Sequence, residues 1–274
     1  LLTIVTAGQA FKIGNTGTFV WNPGINTSTE ATLFVKGAEN FSQGSTLIIK
    51  KWFNYASSIG QYMTGNFGNL TINTPGTNNT IVEWNLKNQL QTHKVLGQLT
   101  IDQGWVTLDK SGLITVTPIG SILLTGMNSV FYGHNGTHPS SFSIVTNSIT
   151  NNGGTFYGLN DGDGNVTIHT IGNFSTYGNV KIINNSGVLN VSNGNATLLV
   201  DGIFTQSAGD TRIIYNVTTT NSGTYNATFG TLTLNGGVFM GQTGCNTSGG
   251  INALTVNNDL NVNFRNSTDK FRAA

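Results

Sequence analysis

The hexapeptide Gly68-Asn69-Leu70-Thr71-Ile72-Asn73 decides how this chain is read, because it returns in altered form along most of the sequence. It reappears as Gly97-Gln98-Leu99-Thr100-Ile101-Asp102, as Gly112-Leu113-Ile114-Thr115-Val116-Thr117 and as Gly164-Asn165-Val166-Thr167-Ile168-His169. Later versions are Gly187-Val188-Leu189-Asn190-Val191-Ser192, Gly230-Thr231-Leu232-Thr233-Leu234-Asn235, Asn252-Ala253-Leu254-Thr255-Val256-Asn257 and Asp259-Leu260-Asn261-Val262-Asn263-Phe264. In most units two aliphatics stand two residues apart with Thr or Asn between them. On a strand that period puts the aliphatics on one face and the polar residues on the other. The residues that favour helices (Ala, Glu, Lys, Arg) are scarce, and no stretch carries apolar residues at helical spacing. The pattern is strands broken by Gly and Asn turns.

The units are unevenly spaced, from one strand and turn to about 30 residues, which no solenoid of one fixed period would show. A parallel β-helix accommodates this, because loops of any length can join the short strands of each coil. Each strand then pairs with its counterpart one coil on, and the aliphatics stack into one continuous core. Gly and Asn supply the left-handed turn conformations. The expected fold is therefore all-β, a parallel β-helix (β-solenoid) with irregular coils, forming one elongated domain over residues 1–274. At roughly 20–25 residues per coil it would hold about 11–14 coils and extend about 55–65 Å. The alternative is a pair of tandem antiparallel β-sandwiches. The aromatic cluster Phe11, Phe19, Trp21, Phe34, Phe41, Trp52 and Phe53 favours that alternative. Residues 126–163 are the least regular and read as a loop insertion or a seam.

Composition removes several functions. The 274 residues carry 12 Lys+Arg against 11 Asp+Glu, a net charge of +1, and only 8% are charged. A nucleic-acid partner calls for a basic excess, and here the basic residues gather only as pairs, Lys50-Lys51 and Lys270/Arg272. Cys245 is alone, so there is no disulfide framework. No apolar run approaches the length of a membrane span. There is no signal peptide, and a chain beginning at Leu1 rather than Met suggests a processed or trimmed terminus. Disorder is opposed by 37% hydrophobic residues, among them 15 Phe, 7 Tyr and 4 Trp.

The segments NFGNLTIN (66–73), GVLNVSNGNATLLVDGIFTQSAGDT (187–211) and FGTLTLNGGVFMG (229–241) resemble the large repeat-rich surface and adhesin-like proteins of Gram-negative bacteria. The resemblance is compositional and is best over residues 66–120 and 164–264. It implies a secreted, Asn/Gly/Thr-rich protein built as a parallel β-helix. That family has no fixed catalytic motif, so no residue role is carried over.

Candidate sites are few. The tripeptide Asn-x-Ser/Thr occurs 14 times, at Asn26, Asn40, Asn69, Asn78, Asn135, Asn165, Asn173, Asn184, Asn190, Asn195, Asn216, Asn226, Asn246 and Asn266. Composition alone gives roughly eight, and each match is a glycosylation acceptor if exposed in a secreted chain. Strand alternation, which sets Asn and Thr two apart, also generates the motif. Asp161, Asp163 and Asn165 stand at alternate positions of a turn and could ligate calcium; a hydrogen-bonded turn rich in Asx residues is the plainer reading. No other cofactor is implied. His134 and His138 have zinc-like spacing, but Gly136 and Pro139 oppose a helix and no third ligand is evident. Asp102 and Asp109 are the nearest approach to the two facing carboxyl groups of a glycosidase. Lys110 is the only base nearby, and the chain is not expected to be an enzyme. Cys245 reads as a small buried or turn residue rather than a nucleophile. Outward Thr71, Thr100, Thr115, Thr167, Thr233 and Thr255 could stack into a ladder able to meet ice or glycans, although Thr is simply a good strand former.

Leu1-Leu2-Thr3-Ile4-Val5-Thr6 is an uncharged, β-prone strand. A β-helix has an open sheet edge at each end, and such a strand could add to the edge of another subunit. The expected function is that of an extracellular structural or adhesive protein, a filament, sheath or adhesin subunit assembling into a homopolymer by β-strand addition. Carbohydrate binding, or carbohydrate chemistry on the same fold, is the alternative, with glycans as possible partners and no nucleic acid or membrane span.

Overall fold

The computed structural model describes residues 12–21, 39–42, 44–50, 65–66, 68–74, 95–109, 114–135, 141–160, 164–185, 194–216, 223–243 and 252–273. Among these there is no helix, and every strand pairing is parallel. The fold is a parallel β-solenoid. Parallel pairing throughout removes the antiparallel sandwiches.

Each coil follows one plan. A long strand with a bend supplies the first sheet, as in Ile114–Leu124, Phe142–Asn151, Asn195–Gln206 and Thr224–Leu234. In two coils the bend divides it, giving Val166–Thr170 with Phe174–Thr176 and Ala253–Val256 with Leu260–Val262. A tight corner leads to a strand of the second sheet: Ser129–Asn135, Thr155–Asn160, Asn179–Asn185, Asp210–Asn216, Val238–Thr243 and Lys270–Arg272. Gln98–Asp109 contributes to both sheets, turning at Gly104 with φ +105°. Thr18–Trp21, Thr46–Ile49 and Asn69–Asn73 continue the first sheet upstream. Lys12–Ile13, Glu39–Phe41 and Gly65–Asn66 form a small parallel sheet of their own.

The repeated hexapeptide lies on the inward ladder. Phe19, Leu47, Leu70, Leu99, Ile122, Ile149, Phe174, Phe204, Leu232 and Leu260 are successive register partners. The residues from Leu47 to Leu232 in this ladder are fully or almost fully buried. Consecutive members lie 23 residues apart (Leu99 to Ile122) to 30 apart (Phe174 to Phe204). Most coils are therefore longer than the roughly 20–25 residues expected, and the ladder from Phe19 to Leu260 has fewer rungs than the ~11–14 coils expected. Residues 126–163, read above as an insertion or seam, contain Ser129–Asn135, Phe142–Asn151 and Thr155–Asn160, which pair in register with the coils on either side.

Phenylalanine fills the centre. Phe131 stacks on Phe156 at 4.6 Å, and the contacts pass on through Phe174, Phe204 and Phe239 to Phe271, with each step under 6 Å between ring centroids. A fully buried Phe stabilises by about 1.5–3 kcal/mol relative to an exposed one, and edge-to-face pairing adds to that. Among the described residues this aromatic run extends from Phe131 to Phe271, and Phe19 of the early cluster packs against the same core.

Glycine occupies the corners because the rungs approach too closely for any side chain. At the bend in the first sheet a Cβ on Gly120 would sit 2.1 Å from the Gly97 carbonyl oxygen, and one on Gly202 would sit 2.6 Å from that of Gly172. These carbonyls accept the next rung's N–H: Ser121 donates to Gly97 at 2.9 Å and Gly202 to Gly172 at 3.1 Å. At the corner between the sheets, Gly154, Gly178, Gly209 and Gly237 form a second such column.

Asparagine serves the same ladders from outside. The side-chain carbonyl of Asn69 accepts the N–H of Gln98 at 2.9 Å, and Asn173 accepts that of Ile203 at 2.9 Å. Asn165 does the same for Asn195 at 3.3 Å, and Asn179 for Asp210 at 3.2 Å. Inside the corner between the sheets, the register partners Asn151, Thr176 and Gln206 are fully buried. Gln206 Nε2 donates to the carbonyls of Gly209, Gly236 and Val238. A buried carbonyl without a donor is costly, so these three side chains fix the corner.

Candidate functional site

The outward face of the second sheet gathers the chemistry. Its strands follow Gly-rich corners, and their first inward residues are Phe131, Phe156, Val180, Thr211, Phe239 and Phe271. The residue after each points outward, giving the register ladder Tyr132, Tyr157, Lys181, Arg212, Met240 and Arg272. Tyr132 and Tyr157 stack at 4.9 Å with their planes 7° apart, and Trp105 meets Tyr132 edge-on at 5.7 Å. Lys181 Nζ lies 6.0 Å from the centroid of Tyr157 and 4.2 Å from that of Tyr215. The Arg212 guanidinium lies 5.0 Å from Tyr215, and its Nε donates to both carboxylate oxygens of Asp210 at 2.8 Å.

Lys181 and Arg212 are like charges directly opposite one another, an arrangement that destabilises a sheet. Burial lowers the Lys181 pKa; Asp210 opposes this and Arg212 reinforces it. The tyrosine rings recover part of that cost through cation–π attraction. This face is half-buried, with Tyr157, Lys181, Arg212 and Tyr215 all partly accessible.

A second feature is the last described rung. Among the described residues Ala253–Val256 and Leu260–Val262 pair only with Thr224–Leu234, leaving their other edge open. Leu260 is 49% and Val262 43% exposed, although both extend inward ladders that are buried in earlier coils. Beside this rung an open groove is lined by Tyr177, Ser207, Asn235, Arg265 and Asp269. The Asp269 carboxylate accepts the backbone N–H groups of Asn266, Gly237 and Arg265 at 2.8–3.1 Å, which hold its pKa below the usual aspartate value.

No family model, no curated protein and no solved structure matches the chain. Its function is therefore argued from these surfaces.

The residues singled out in the sequence fall as follows. Among the sequon asparagines, Asn165, Asn173, Asn195, Asn226 and Asn266 are exposed and Asn69 is partly so. Asn184 is enclosed, only 2% exposed, and its Nδ2 donates to Asn160 Oδ1 at 2.6 Å. Asn40, Asn135 and Asn216 lie on strands, while Asn26, Asn78, Asn190 and Asn246 lie outside the described residues. So do Asp161 and Asp163 of the calcium set, His138, Cys245 and the strand Leu1, Leu2, Thr3, Ile4, Val5 and Thr6. His134 is fully buried in the second sheet. Among the described residues no group of three or more His, Cys, Asp or Glu could hold a metal ion. Asp102 has both oxygens engaged, accepting from Asn73 Nδ2 and Thr125 Oγ1 at 2.6 Å on neighbouring rungs. Asp109 stands beyond the Gly104 turn, opposite His134. The six outward threonines do not form one ladder: Thr71 pairs with Thr100, which meets Leu123 on the next rung, Thr115 and Thr167 flank Ser143 on a second ladder, Thr233 pairs with Thr205, and Thr255 pairs with Thr228 on a third ladder.

Sequence reasoning missed the Tyr–Lys–Arg ladder. Its signal was present in Gly154-Thr155-Phe156-Tyr157, Gly178-Asn179-Val180-Lys181 and Gly209-Asp210-Thr211-Arg212, which align once the glycine is taken as a corner.

Proposed function

We propose that this chain is a segment of an extracellular structural or adhesive surface protein, and that copies join end to end by β-strand addition into a homopolymer. The observation that supports the reading is the last described rung, where Leu260 and Val262 extend inward ladders yet are 49% and 43% exposed. An unprotected sheet edge is a template for another strand. Parallel pairing to the last described rung lets an added strand continue the register already in place.

The test is negative-stain microscopy and light scattering across a concentration series. The native chain should form polymers, and both deletion of residues 1–6 and Leu260→Lys should leave discrete particles. Discrete rods in every sample, at every concentration, would discard end-to-end assembly.

A second reading, carbohydrate binding, is favoured by a different observation. Partly accessible tyrosines and cations of the second sheet lie side by side on successive coils. Retention of any soluble polysaccharide in affinity electrophoresis would support it, and retention of none would remove it.

A further inference from the structure

We infer that the Tyr157–Lys181–Arg212–Tyr215 face is a binding site for an extended acidic polysaccharide, one bearing a carboxylate on its sugar residues. The inference rests on the carbohydrate-binding reading and is independent of end-to-end assembly.

The first argument is energetic. Only 8% of this chain is charged and 12 residues are cationic, yet two cations are placed on adjacent rungs of one ladder. Register partners on neighbouring strands are separated by about 5 Å, where like charges repel. Asp210 is bound by Arg212 at 2.8 Å and neutralises one of the two. Folding stability alone would replace Lys181 with Thr or Val, as on other outward positions. Local rules broken in this way mark functional sites.

The second argument is geometric. Lys181 is held between the rings of Tyr157 and Tyr215, and Arg212 against Tyr215, so both cations are positioned before any ligand arrives. Ordering these side chains in advance lowers the entropic cost of binding. Arg212 uses Nε for Asp210, while a guanidinium has further N–H donors suited to a carboxylate. Partial burial strengthens these charge-assisted bonds relative to bulk water.

The third argument concerns the repeat. The ladder advances about 4.8 Å per coil, close to the advance of one pyranose in an extended chain. A polysaccharide lying along the solenoid axis meets Tyr157, then Lys181, then Arg212 on successive rungs. The face carries an aromatic component for sugar rings as well as cations for carboxylates. Net charge of +1 provides no general attraction for polyphosphates.

The experiment is isothermal titration with an oligogalacturonate, a neutral cello-oligosaccharide and a single-stranded DNA of similar charge, at low salt. The wild-type chain should bind oligogalacturonate and neither of the others. Lys181→Met and Arg212→Gln should each weaken binding about tenfold or more, with the thermal midpoint of Lys181→Met no lower than that of the wild type. Tyr215→Leu should weaken it as well, because it releases both cations. Absence of oligogalacturonate binding, or binding unchanged in both cation variants, overturns the inference. Equal binding of DNA overturns it in favour of a general polyanion surface. Binding of the neutral oligosaccharide alone overturns it too, while leaving the carbohydrate reading standing.

Discussion

The α-carbon of Gly202 lies against the carbonyl of Gly172, thirty residues earlier, so closely that a Cβ would stand 2.6 Å from the oxygen. The same carbonyl accepts the Gly202 N–H at 3.1 Å. Relief of the clash by moving the backbone would lengthen that bond. Gly202→Ala should therefore destabilise by about 1–3 kcal/mol, the usual cost of overpacking. Gly126→Ala, where nothing lies within 4 Å of the added methyl, should stay within about 0.5 kcal/mol of the wild type. Urea unfolding of the two variants side by side measures the difference.

Phe204 is the hub of the aromatic core, touching Phe174, Phe229 and Phe239. Phe204→Ala should cost about 3–5 kcal/mol, the range for truncating a buried Phe. In a stacked array that loss is local at first. Hydrogen exchange should show protection falling first in Asn195–Gln206 and its neighbours Phe174–Thr176 and Thr224–Leu234.

Gln206→Leu keeps the bulk of the side chain and removes the donors to three corner carbonyls. The expected loss is about 1–3 kcal/mol, from leaving buried acceptors unmet. Half-buried Gln98, whose Nε2 donates to the neighbouring Thr100 hydroxyl and not to a backbone carbonyl among the described bonds, provides the control: Gln98→Leu should change the urea midpoint little.

Two ionisable groups each make stability rise with pH, in separate windows. Asp269 has a folded pKa depressed mainly by the Asn266 and Gly237 N–H groups. Its contribution is present above the ordinary aspartate value of 3.8 and is lost as pH falls through the lower folded value. The strand Lys270–Arg272 should loosen over that acid window, seen by amide exchange, and Asp269→Asn should abolish the dependence. Lys181 has a folded pKa lowered by burial below 10.5. The unfolded chain then holds its proton more tightly, so stability should rise with pH through the window just under 10.5. Lys181→Met should remove that slope.

Glycopeptide mass spectrometry of native material checks the sequons. Asn184 should be unmodified, because its enclosed amide bonds Asn160 and leaves no room for a sugar. If the chain is glycosylated, exposed Asn226 and Asn266 should be the occupied positions. A glycan on Asn184 would contradict the Asn160–Asn184 register.

Much of the fold was legible because Leu70, Leu99, Leu232 and Leu260 sit in hexapeptides whose alternation is local. A period of two can be read from six residues. The glycine columns were seen only as turns. Their reason is the approach of Gly172 and Gly202, which depends on how many residues each coil spends in its loops. The Tyr157–Lys181–Arg212 ladder was hidden for the same cause: its members are 24 and 31 residues apart, and no fixed period reveals them. The contacts of Phe174 with Phe156 and of Phe204 with Phe239 cross between the sheets and have no signature along the chain. The excess of sequons also has a structural origin, since Asn69, Asn165 and Asn173 receive the next rung's N–H.

The glycine columns carry an evolutionary consequence. Because the described glycine corners set a carbonyl of one coil against an N–H of the next, the junctions between these coils share one chemistry. A recombination event that copies or removes one whole coil regenerates that junction and leaves the remaining core undisturbed. Length in such a gene can change by single steps of about 4.8 Å of rod, and natural variants should differ by whole coils and by loop length, with the corner glycines retained.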